Sequence, residues 1–192
     1  MSSDSDNDDL ELVEVSSPAA LELIGRLRVH AWRTEIQIPV HTTVWLESAD
    51  FGARHWAFMR HGTPVAAARL TIHDSLADVP DAEVYSGVFQ CPPPPPIASL
   101  NRLVVAPEFR GRHLAAPLDR VRLDAAILAG CHSAIGATSA SERRISPLES
   151  LGFSVIGLGQ PYAAGFLKAA KRPIVLQMLL NSNVASNYST GT

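Results

Sequence analysis

The segment that most constrains this chain is Leu103-Val-Val-Ala-Pro-Glu-Phe-Arg-Gly-Arg-His-Leu-Ala-Ala116. An apolar run ends at a proline and passes through Arg110, Gly111 and Arg112. It then enters Leu114, Leu118, Val121, Ala125 and Leu128, whose steps of four and three mark an amphipathic helix stopped by Gly130. A buried strand therefore runs into a short basic turn and straight into a helix. That junction is an anion site in physical terms. The first helical turn carries unpaired N–H groups and the positive end of the dipole. Gly111 admits close backbone approach, the two arginines add charge, and a pyrophosphate suits the whole.

The rest of the chain supplies elements around that junction. Leu10–Val15 alternates like a half-buried strand. Ser17-Pro18 is an N-cap followed by proline at the first helical position, and the helical spacing of Leu21, Ile24, Arg28 and Ala31 predicts a helix to about Glu35. The stretch 41–50 is readable as a short helix or a loop. Trp56–Met59 and Val65–Ile72, joined at His61-Gly62, form a hairpin. From His73 to Pro96 the chain is irregular, and Pro92–Pro96 reads as a stiff spacer, with a docking site for a proline-binding partner as the alternative. Ile97–Val105 and Ser133–Ala137 are strands. Ser146-Pro147-Leu148-Glu149 reads as a capping box that starts a short helix ending at Gly152, and Phe153–Leu158 and Pro173–Leu180 complete the strands. Residues 1–9 are read as a disordered acidic tail, 10–181 as one domain, and 182–192 as a flexible tail.

Composition narrows the class. With 192 residues, 46% hydrophobic and 18% charged, the chain can bury a substantial core. A net charge of −3 gives no reason to expect nucleic acid. No apolar run reaches the roughly 18–20 residues of a membrane span. Cys91 and Cys131 lack metal or disulfide spacing, so no metal is expected and a reduced, cytoplasmic setting is the simpler reading.

Arg110-Gly111-Arg112-His113-Leu114-Ala115 after a Val-x-Pro strand end resembles the acetyl-CoA-binding motif of the GNAT superfamily of N-acyltransferases, with His113 where the family usually has glycine. Leu148-Glu-Ser-Leu-Gly-Phe153 is similar to the family's helix-to-strand ending, and the element order agrees over roughly Leu10 to Leu180. Arg28 and Trp32, Ala68-Arg69-Leu70 and Ser99-Leu-Asn-Arg-Leu103 resemble the branch of acyl-homoserine lactone and N-acyl amino acid synthases.

The resemblance implies an α/β (α+β) fold: one domain with a mixed, mostly antiparallel central sheet flanked by helices. It implies direct transfer of an acetyl or other acyl group from acyl-CoA to an amine of a small molecule or amino acid. The backbone of Leu103, Val104 and Val105 would pair with the pantetheine arm, and the N–H groups of Arg110, Gly111, Arg112, His113, Leu114 and Ala115 would cradle the pyrophosphate. Val104 or Val105 would supply the oxyanion donor. The family's glutamate base and tyrosine acid are missing, the latter replaced by Leu148. Asn101 and His73 are the candidates for catalytic work, with Glu83 and Asp74 behind them; the simpler reading of His73 is a surface histidine at a strand end. Arg102 and Arg69 could hold an acceptor carboxylate or form ordinary ion pairs. Trp32, Trp45 and Trp56 could line a pocket or simply fill the core. An acyl-carrier protein as donor, a non-catalytic CoA-binding module and a homodimer are left open.

Overall fold

A computed structural model describes residues 9–33, 35–36, 38–138 and 141–180. The tails expected at 1–9 and 182–192 lie outside the described residues, Asp9 excepted. The strands are β1 (Glu11–Val15), β2 (Arg54–Arg60), β3 (Thr63–His73), β4 (Ile97–Val105), β5 (Ser133–Thr138), β6 (Ser154–Leu158) and β7 (Ile174–Leu179). The helices are α1 (Pro18–Trp32), α2 (Ala115–Leu128) and α3 (Glu142–Ser150). The strands form one seven-stranded sheet in the order β1-β2-β3-β4-β5-β7-β6. β4 and β5 run parallel, whereas β1 with β2, β5 with β7, and β6 with β7 are antiparallel. The predicted order of elements is the observed one. The chain divides into two compact units, residues up to Arg69 with Arg102–Leu118, and Leu70–Asn101 with the residues from Asp119 on.

In the first unit, Ser17 caps α1 by accepting from the Ala20 N–H at 3.2 Å, and Pro18 opens it. The helix ends at Trp32, three residues before the expected Glu35. It buries Ile24, Leu27, Arg28, Val29 and Ala31. Gly25 is needed for close approach: a Cβ there would meet Val44 Cγ1 at 2.6 Å, and the Gly25 carbonyl accepts from Trp45 N–H at 3.0 Å. The 41–50 stretch resolves into a loop closed by one 3-10 turn, Ser48–Asp50. His61 and Gly62, with φ of 48° and 78°, make the two-residue turn between β2 and β3, the positive-φ pair a type I′ hairpin requires.

In the second unit, Val79, Val84, Tyr85, Ile97, Ile135 and Val175 form a buried cluster that fixes the irregular 73–96 stretch. The proline tract is a spacer with anchored carbonyls. Pro94 O accepts from Ser133 Oγ at 2.8 Å, Pro95 O contacts His132 Nδ1 at 2.5 Å, and Pro96 O accepts from His132 N–H at 2.9 Å. Helices α2 and α3 both end in Schellman bonding, with Cys131 N–H to Ala126 O at 3.0 Å and Phe153 N–H to Leu148 O at 3.1 Å, around Gly130 and Gly152 at positive φ.

One boundary is corrected. Helix α3 starts at Glu142 after Ser141, so Pro147 lies inside it and Ser146 is no N-cap. The proline removes one helical bond in a short helix. The earlier turn is held by Ser141 O, which accepts from Arg144 and Ile145, and by the Arg144 side chain on Asp119.

Candidate functional site

The strand-to-helix junction lies wholly in the first unit. Ala106 N–H donates to Val65 O at 2.8 Å, seating the end of β4 against β3. Pro107–Phe109 forms a 3-10 turn that buries Phe109, with the guanidinium of Arg112 4.9 Å and that of Arg60 5.6 Å from its ring centre. Gly111 and His113 then take left-handed backbone, φ 83° and 60°. A Cβ on Gly111 would meet nothing within 4 Å, so glycine is used there for its φ and leaves open space above the backbone. Alternation of left-handed residues in a turn gathers successive N–H groups into an anion-binding concavity. Among the described residues, the N–H groups of Gly111, His113 and Leu114 find no backbone carbonyl. Pro117, third in α2, falls in the first turn, where its missing N–H costs nothing.

His113 thus stands in a conformation that glycine enters freely and other residues enter at a cost of about 1–2 kcal/mol. Its side chain is exposed. Leu103 and Val105 are half-buried and Val104 is buried, the alternation of a strand with one face inward. Arg110 is engaged with the chain itself. Its Nη2 donates to Ala31 O at 2.9 Å and lies 2.6 Å from Glu35 Oε1, and its Nε donates to Val105 O at 3.4 Å.

The substrate-ligand candidates Arg69 and Arg102 share the first unit and hold the chain's own carboxylates. Arg102 grips Glu47 with two bonds, Nε to Oε2 at 2.9 Å and Nη2 to Oε1 at 2.7 Å. Arg69 Nη1 donates to Glu47 at 3.1 Å and Asp50 at 2.8 Å. Asp50 also takes a bidentate pair from Arg28, at 2.8 and 2.9 Å. Trp45 Nε1 donates to Glu47 at 3.0 Å. The ion-pair alternative is therefore what the geometry displays, and an acceptor carboxylate at either arginine would compete with Glu47 or Asp50. Burial raises the pKa of both carboxyls. The charges and hydrogen bonds of Arg102 and Arg69 at Glu47, and of Arg28 and Arg69 at Asp50, outweigh it and hold both below the ordinary range. Burial pushes the neighbouring His55 down, toward the neutral ring. Arg102 itself sits at φ 51° inside β4, a left-handed kink in a strand.

Asn101 and His73 belong to the second unit. The Asn101 side-chain amide donates to Ser99 Oγ at 3.0 Å, and the Asn101 main-chain carbonyl accepts from Arg122 Nη1 at 3.4 Å. Arg122 and Asp119 are both fully buried. Asp119 binds Arg122 and Arg144 together, tying α2 to α3. Burial pushes the Arg122 guanidinium down to about 10, with Arg144 adding to the shift and Asp119 opposing it. His73, half-buried, ends β3, Asp74 is exposed, and Glu83 accepts from Ala163 N–H at 3.1 Å. The β4–β5 ladder stops at Leu100 opposite Gly136, while β5 continues through Ala137 and Thr138 against β7.

Sequence reasoning passed over Glu47, Asp50, Asp119 and Arg122. The available signal was charge at apolar spacing: Arg28 on the core face of α1, Arg69 inside the run Val65–Leu70, and Asp119 with Arg122 on α2. Trp45 and Trp56 are core residues, and Trp32 meets Trp45 edge-on with centroids 6.3 Å apart. Cys131 is buried and Cys91 exposed, both free thiols. Among the described residues no cluster fit to hold a metal ion occurs, and no helix is long and apolar enough to cross a membrane.

The sequence profile of the acetyltransferase (GNAT) family matches residues 21–153. No curated protein matches the sequence. Among solved structures, the chain is similar to the AHL synthase LasI (12% identity, TM-score 0.64, 90% of this chain and 89% of that one). It is equally similar to FeeM, an N-acyl amino acid synthase from uncultured soil microbes (12%, TM-score 0.64, 89% and 91%). The ribosomal-protein-S18-alanine N-acetyltransferase from Escherichia coli also superposes (15%, TM-score 0.57, 90% and 94%). At these identities the likeness is one of fold.

Proposed function

The chain belongs to the GNAT family of acetyltransferases, and from that premise we propose that it transfers an acyl group from acyl-CoA to an amine of a small molecule or amino acid. The observation that carries this reading is the left-handed backbone of Gly111 and His113 just before α2, the pattern by which successive N–H groups are turned toward an anion. Such a concavity neutralises a pyrophosphate without needing a free basic side chain.

The donor brings an activated thioester; the chain supplies orientation and charge stabilisation. In this reading the amides from Gly111 to Ala115 hold the pyrophosphate, the expected Arg110 N–H being taken instead by Pro107 O at 3.3 Å; the backbone of Leu103, Val104 and Val105 aligns the pantetheine arm, and the amide of Val104 or Val105 faces the carbonyl oxygen as charge develops. Holding donor and amine in register can supply much of the rate, on the order of 7 kcal/mol or more, so a weak proton acceptor suffices. Asn101 is proposed to orient the amine or a water, fixed as it is by Ser99 and Arg122. His73, with an intrinsic pKa near neutrality for its residue type, is the proposed proton acceptor. A tyrosine acid is absent because Leu148 is buried in its place, so the leaving thiolate takes its proton from solvent or from the amine.

A second reading, a longer acyl chain delivered by an acyl-carrier protein, rests on the resemblance of Arg28 and Trp32, Ala68-Arg69-Leu70 and Ser99-Leu-Asn-Arg-Leu103 to the synthase branch, with which the chain shares its fold. Thiol release should be followed with acetyl-CoA, longer acyl-CoA and acyl-carrier protein across a panel of amines. Amine-dependent release supports transfer, and the preferred donor separates the two readings. Coenzyme A binding without release for any pair would leave a binding module instead.

A further inference from the structure

We propose that the C-terminal turn of α1 is the platform that positions the pyrophosphate loop, and that Arg110 is its positioning residue rather than a phosphate ligand. The inference rests on the assignment of residues 110–115 as that loop.

Two ties run from the end of α1 to the approach of the loop, one within the Pro107–Phe109 turn and one at the residue that follows it. His30 Nε2 lies 3.0 Å from Glu108 Oε2. Arg110 Nη2 reaches Ala31 O at 2.9 Å and Glu35 Oε1 at 2.6 Å, while its Nε closes back on Val105 O at 3.4 Å. Ala31 sits in the last turn of α1, where carbonyls lack helical partners and the dipole is negative, so a guanidinium is doubly favoured there. A guanidinium already holding a carboxylate and a carbonyl adds little net charge to a nearby anion. Its three acceptors belong to the end of α1, the segment after it and the end of β4. Arg110 therefore fixes where β4 releases the chain into Gly111, and with it the aim of the amides that follow. Both ties are about half exposed and individually weak. Their effect comes through geometry, because a preorganised cradle loses affinity when its donors are displaced by a fraction of an ångström.

The discriminating variant is Glu35→Ala, because the two roles of Arg110 predict opposite signs. If Arg110 positions the loop, loss of Glu35 weakens coenzyme A binding, measured by calorimetry, about two- to fivefold. Arg110→Lys, which keeps the charge and loses the fork, does the same. If Arg110 were a phosphate ligand restrained by Glu35, Glu35→Ala would free the cation and tighten binding, and Arg110→Lys would bind nearly as wild type; either result overturns the proposal. Backbone amide resonances of the unliganded protein decide it separately. The platform requires the resonances of residues 111–116 to move in Glu35→Ala, which lies far from them in sequence, and unchanged resonances there refute it. A wild-type protein that fails to bind coenzyme A would refute the functional assignment alone, since the resonance comparison does not need the ligand.

Discussion

Arg102 and Glu47 face each other fork to fork, Nε and Nη2 of the guanidinium on the two carboxylate oxygens at 2.9 and 2.7 Å, with the arginine held at φ 51° inside a strand. The pair fastens the loop after α1 to the kink in β4. Arg69 and Trp45 use the same carboxylate, so Glu47 is the hub of its neighbourhood. Glu47→Ala should therefore cost about 3 kcal/mol, toward the low end for breaking a buried pair because Glu47 keeps some solvent contact. Urea unfolding checks this; a loss under about 1 kcal/mol would mean that the kink stands without its clamp.

The carboxyls of Asp50 and Glu47 are held below their ordinary values in the fold, since the arginines beside them outweigh burial. A group whose folded pKa is depressed stabilises above its unfolded pKa and loses that contribution as pH falls. The unfolded carboxyl values lie at about 4, so these two groups withdraw their contribution progressively below about pH 5, while His55, held toward its neutral form by burial, already lowers stability as pH falls below about 6.5. Asp50→Asn should be less stable at neutral pH and show a shallower acid limb. Melting temperature measured against pH for both proteins tests the sign, and parallel curves would remove Asp50 from the account.

His113 occupies a left-handed site in which glycine pays no steric cost. His113→Gly should be more stable than His113→Ala by about 1 kcal/mol, because alanine keeps the clash and glycine loses it. Equal melting temperatures for the two variants would indicate that the backbone there is not left-handed in solution.

Gly25 allows the segment bearing Val44 and Trp45 to lie directly on α1. Gly25→Ala would place a methyl 2.6 Å from Val44 Cγ1. The gain in helix propensity, about 1 kcal/mol, should be overtaken by overpacking of about 1–3 kcal/mol. A net destabilisation in urea unfolding is the expected outcome. Stabilisation would show that the loop moves aside without penalty.

Much of this architecture was legible because the signals were local. Ser17-Pro18 starts a helix by its own chemistry, His61-Gly62 turns a hairpin by its own backbone, and the Leu-Gly-Phe ending stops α3 where expected. The start of α3 was misread for the converse reason. Pro147 is a strong local signal for a first turn, yet Asp119, 25 residues before Arg144 in the chain, holds that arginine and with it an extra turn. The anion loop was visible from Arg110, Gly111 and the helix that follows, but the use of Arg110 was not, since nothing local says that its partners are Ala31 and Glu35. The pairings within the buried cluster of Arg28, Asp50, Glu47, Arg69 and Arg102 were hidden for the same reason. Arg28 and Arg69 stand at apolar spacing and so signal burial, but nothing local names Glu47 and Asp50 as the carboxylates they hold.

A pyrophosphate seated on the amides between Gly111 and Ala115 must perturb their resonances. Isotope-labelled protein titrated with coenzyme A, with backbone amide resonances followed throughout, should show its largest shifts at Gly111, Arg112, His113, Leu114 and Ala115, saturating with a single affinity. Saturation that leaves those five resonances in place, or their silence at millimolar ligand, would contradict that seating.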